Sequence, residues 1–197
     1  GVTLKCAEGT VFTGQSSLDI NGAIVEGATF ENESGTAVRN TINGTFKNCE
    51  FTGSNATRYC YAGETVVFED CVFDGAVYGM HFDGGENPVT FRRCQLSGFN
   101  AFGSALTDLT FEDCVFKSTG KSGYNGANLW GKTTMTGCEF IFDGQASTEW
   151  IGLNAAGSGK EIVFTDCVVK DAEGNEGELT AYFANCSNGC KLSLIHI

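Results

Sequence analysis

The chain is short of positive charge. Twelve Lys and Arg stand against 24 Asp and Glu, for a net charge of −12 over 197 residues. Nucleic-acid binding is not expected, because neutralising phosphates takes clustered Lys and Arg. The acidity fits an extracellular surface instead. No apolar run approaches the roughly eighteen residues of a membrane-spanning helix, so no segment reads as one. Histidine is scarce, with only His81 and His196. The lone Cys186-to-Cys190 spacing brings no further ligands, so neither metal nor cofactor is expected. Phosphate loops fail as well. Gly120-Lys121-Ser122 has Val115 where a leading glycine is needed, and Gly157-Ser158-Gly159-Lys160 runs into Glu161. The chain starts at Gly1 without a charged-then-apolar signal segment, so the natural N-terminus and any targeting signal are expected to lie outside it.

What the chain has is a repeat. Thr45-Phe46-Lys47-Asn48-Cys49-Glu50-Phe51 returns as Val67-Phe68-Glu69-Asp70-Cys71-Val72-Phe73, and again around Cys94, Cys114, Cys138 and Cys167. The steps between these cysteines are 22, 23, 20, 24 and 29 residues, and Cys186 adds one of 19. A period near twenty-two specifies a stacked solenoid. Before each cysteine stand Asn48, Asp70, Arg93, Asp113, Gly137, Asp166 and Asn185, mostly residues that tolerate a left-handed backbone at a bend. A bend there lets Phe46, Cys49 and Phe51 all point inward, although a flat strand would send Phe46 and Cys49 to opposite faces. A third apolar run closes the coil at Val77–Phe82, Phe99–Phe102, Ala127–Trp130 and Trp150–Leu153. Glycine, at 27 of 197 residues, is near twice its usual share of about 7%, in keeping with frequent corners.

Three short strands per coil of about 22 residues, stacked in parallel at about 4.8 Å, make an all-β right-handed parallel β-helix. A leucine-rich repeat is the rival, but its leucine ladder is missing and the only proline is Pro88. The motif resembles the repeats of the pectin-lyase-like superfamily. It is also similar to the repeat domains of bacterial cell-surface and autotransported proteins, whose Phe-x-x-Asn and Gly-Gly-Ala-Ile tetrapeptides survive partly as Phe30-Glu31-Asn32 and Asn21-Gly22-Ala23-Ile24. The resemblance covers residues 29–187 and implies a bacterial, secreted or surface-anchored protein.

Register has a test. Lys47, Glu69, Arg92 and Glu112 share the first corner position and alternate in sign, while Arg93 falls between Asp70 and Asp113 at the second. Stacked coils would set opposite charges beside one another. The cysteines read as a row of small core residues rather than disulfides, since stacked neighbours lie about 4.8 Å apart while a disulfide needs Cβ atoms converging near 3.8 Å. Cys186 and Cys190 alone are placed to bridge locally. One domain spans 1–191, with the longest step projecting extra residues near Asp143–Glu149 or Ala155–Lys160. Residues 192–197, Leu-Ser-Leu-Ile-His-Ile, match no coil and resemble a translated sequencing adapter, so they are set apart as a non-native tail.

Two functions compete. The superfamily implies polysaccharide lyases and glycoside hydrolases, yet the hydrolases' Asn-Thr-Asp, Asp-Asp and Gly-His-Gly motifs are absent, and Arg92 and Arg93 already have expected structural partners. The reading adopted is a rigid stalk or adhesin without catalysis, binding polysaccharide or host-cell glycan. With Met80 and Phe82 inward, His81 and Asp83 face outward. Alignment brings Asn128 and Trp130 to the same wall, near Tyr124 and Trp150. Aromatic faces among amides and carboxylates suit sugar rings and their hydroxyls.

Overall fold

The computed structural model describes residues 1–13, 18–31, 38–53, 58–75, 80–84, 87–97, 107–117, 132–142, 161–171, 173–176 and 191–195. Among these there is no helix. One sheet stacks β1 (Thr3–Lys5), β3 (Leu18–Glu26), β5 (Val38–Lys47), β7 (Arg58–Glu69), β10 (Val89–Arg92), β12 (Leu109–Glu112), β14 (Thr133–Thr136), β16 (Glu161–Thr165) and β18 (Lys191–Ile195), with β9 (Met80–Gly84) also on β7. The other stacks β2 (Val11–Thr13), β4 (Thr29–Glu31), β6 (Glu50–Gly53), β8 (Val72–Gly75), β11 (Gln95–Ser97), β13 (Val115–Lys117), β15 (Glu139–Phe142) and β17 (Val168–Asp171). Each strand pairs in parallel with the equivalent strand one coil away, Phe68 with Phe91 and Phe91 with Phe111, for example. The chain therefore winds from one sheet to the other and back once per coil, a parallel β-helix. Crossovers between parallel strands take the right-handed path.

The corners lie where the residue types demand. Asn48, Asp70, Arg93, Asp113 and Asp166 have φ of 49–54° and Gly137 has 63°, the left-handed region that short polar residues and glycine enter most easily. Their amides are not sacrificed. Asn48 N–H donates to the Glu69 carbonyl at 3.0 Å and Asp70 N–H to that of Arg92 at 2.9 Å, so the ladder runs on through the bend. Asn185 lies outside the described residues. A further corner occurs at Gly27 (φ 77°), followed by Ala28 in the cysteine's place.

The third wall is a separate strand at β9, overlapping the expected run Val77–Phe82, but takes another form in the earlier coils. In β3, β5 and β7 it runs straight into the first wall as one long strand, broken only by a register shift, as between Ile42 and Gly44 where β5 meets β7. These coils thus carry two strands rather than three separate ones. Gly44 permits this, because a side chain there would drive into Ile20. The stretches where a projection is expected, Asp143–Glu149 or Ala155–Lys160, lie outside the described residues. At the end of the chain, Leu192 and Leu194 in β18 stand in register with Ile162 and Phe164 in β16.

Inside, two columns of rings fill the shaft. Phe46, Phe68, Phe91 and Phe111 stack on one wall at centroid spacings of 5.4, 4.9 and 4.7 Å. Phe12, Phe30, Phe51 and Phe73 do so on the other at 5.2, 5.0 and 4.8 Å. Edge-to-face contacts such as Phe51 on Phe68, at 5.4 Å, lock the two columns together, the geometry that the ring quadrupole favours. Where a phenylalanine is absent, Met135 or Leu96 fills the step, still fully buried.

Candidate functional site

Between the phenyl columns runs the thiol row. Cys49, Cys71, Cys94, Cys114, Cys138 and Cys167 are buried and unbridged, as their parallel stacking requires. Each Sγ lies 3.3–3.6 Å from the carbonyl two residues back and 3.3–3.7 Å from a carbonyl of the coil below. With one hydrogen to donate, a thiol satisfies one of these at a time. Cys94 and Cys138 are held well above the ordinary thiol range, first by hydrogen bonds with the thiols on either side and then by burial. Cys6 does not join it. It aligns with Gly27, one position before Ala28, and is only half buried. Cys186 and Cys190 lie outside the described residues.

On the outer surface, the charges pair from coil to coil. Lys47 Nζ reaches Glu69 at 2.7 Å, Arg92 reaches Glu69 at 3.3 Å, and Arg92 Nε donates to Glu112 at 2.7 Å. Arg93 forks onto Asp70 with bonds of 2.7 and 2.8 Å. Lys47, then Arg92, hold the Glu69 carboxyl below its usual range, and Arg93 does the same for Asp70. Glu112 first, and Glu69 second, raise Arg92. The expected register is therefore correct, and both arginines act between coils. The column also extends further than the cysteine motif revealed. Lys5 pairs with Glu26 at 3.5 Å, giving Lys5, Glu26, Lys47, Glu69, Arg92 and Glu112 in strict alternation. In these first, less regular coils Ala28 replaces the marker cysteine and Gly27 holds the corner.

The family model described as "Right handed beta helix region" matches residues 5–140. The chain belongs to that right-handed β-helix family. No curated protein and no solved structure gives a match.

On this β-helix, the expected glycan-binding residues fall largely beyond description. The backbone places His81 opposite Tyr59, while Asp83 falls at a register irregularity between Phe82 and Gly84. The side chains of His81 and Asp83, and the whole of Tyr124, Asn128, Trp130 and Trp150, lie outside the described residues. Among the described residues, no three His, Cys, Asp or Glu side chains converge as metal ligands. What the described β-helix surface holds is a set of ion pairs parallel to its axis.

Proposed function

We propose that this β-helix is a rigid module of a secreted or cell-surface bacterial protein, a stalk whose outer wall adheres to glycans. The observation that supports this reading is the use of charge. Lys47, Arg92 and Arg93 spend themselves on neighbouring coils, so they stiffen a rod instead of meeting a substrate. Nine described strands stacked in succession along one sheet, at about 4.8 Å each, make that rod on the order of 40 Å long. The adhesive wall is assigned to His81, Asp83, Tyr124, Asn128, Trp130 and Trp150, where aromatic faces would cover sugar rings and the amide and carboxylate would bond hydroxyls.

A glycan array on the purified chain tests the proposal, followed by reducing-sugar and unsaturated-product assays on every hit, with and without calcium. Binding without product, weakened by Trp130→Ala, is the expected result. Release of product would make the protein a carbohydrate-active enzyme, and silence on all glycans would remove the adhesive role.

A further inference from the structure

The first coil exposes the interior of the solenoid. Val2 and Leu4 are 73% and 50% exposed, the two largest values among the exposed large apolar residues described. Leu4 is a core residue by position. Its column continues as Val25, Phe46, Phe68, Phe91 and Phe111, all at most 3% exposed. Val2 precedes Thr3 in the column of Val66 and Val89, which are 1% and 0% exposed. Phe12 stacks on Phe30 from one side only among the described rings. Among the described strands, β1 and β2 stand last in their sheets, so each leaves one edge without a described partner strand. Beside this open cross-section lies Lys5, its side chain 77% exposed, at the end of the alternating charge column.

We propose that this end is a docking surface for one further β-helical coil, whose strand pairs in parallel with β1, sets apolar side chains over Leu4 and Phe12, and presents a carboxylate to Lys5. The three requirements are independent. Unpaired strand edges accept strands; the exposed columns need aliphatic or phenyl cover; and alternation makes the next charge negative, since a like charge directly opposite is destabilising. A globular partner with a convex apolar patch would satisfy only the second.

The test is a full-length chain extended by a copy of residues 66–87 fused ahead of Gly1. This register sets the copied Phe68 over Leu4 and the copied Glu69 opposite Lys5, as they stand to Phe91 and Arg92. Expected are a rise in Tm of ~2–4 °C or more and new protection of the Thr3–Lys5 amides from hydrogen exchange. Glu69→Lys in the copy should give back about 1–4 °C of the gain, less at high salt. No rise with either version, or equal Tm values for the two, would overturn the proposal. So would a dimer of the unextended chain that Leu4→Ser dissociates, since the end would then close on a second copy.

Discussion

At the scale of single residues, the phenyl columns and the ion pairs contribute very differently. Phe91 is fully buried and stacks between Phe68 and Phe111, so Phe91→Ala should cost ~3–5 kcal/mol in urea titration, through lost transfer energy plus a cavity that stacked coils cannot collapse. Each ion pair contributes only about 0.2–1 kcal/mol. Their signature is pH dependence. Glu69 has a folded pKa below its ordinary value near 4.5, from Lys47 and then Arg92, so its stabilisation is complete above that value and fades as pH falls through the lower, folded one. Thermal melts should show a loss below about pH 4.5 that Glu69→Gln makes shallower; identical acid limbs for both proteins would mean the pairs do not couple to folding.

At the scale of the strand and its corner, backbone conformation decides. Asp166 bends the chain at φ 51°, where its short polar side chain is tolerated. A β-branched residue is not, so Asp166→Val is expected to lose about 1–2 kcal/mol, and Asp166→Gly far less. Chemical denaturation of the pair measures the difference directly, and equal losses would assign the effect to the carboxylate instead. Gly44 is stricter. Its added methyl meets Ile20 and the Ala23 carbonyl, which places Gly44→Ala at ~1–3 kcal/mol. The long bulged strands β3 and β5 depend on that glycine for their close approach.

At the scale of the whole molecule, coils contact mainly their neighbours, so stability adds along the axis. The thiol row runs through the middle of this stack, from Cys49 to Cys167, and reports on it. Under native conditions, peptide-resolved alkylation should label Cys6 well before Cys94, Cys114 and Cys138, each fully buried and unmodified until the coils separate. Oxidation of the folded protein should likewise yield no disulfide within the row, since its geometry forbids closure. Early labelling of Cys114 would show that the middle of the rod opens locally.

How much of this was legible beforehand depended on whether a feature was periodic. The Phe-x-x-Cys motif, with Asn, Asp or Gly before the cysteine, determined coil length, the inward thiols, the left-handed corners and the pairing of Glu69 with Arg92, because stacking converts a sequence period directly into spatial neighbours. Features without a period stayed hidden. The fusion of two walls into β3, β5 and β7 turns on a single close approach at Gly44, and the joining of Lys5 and Glu26 to the charge column was masked by Ala28 and by the wider first corner. The proposed glycan-binding wall stands apart from both: repeat alignment alone groups His81 with Asn128 and Asp83 with Trp130, and their side chains lie outside the described residues, where only the tertiary structure could decide whether they meet.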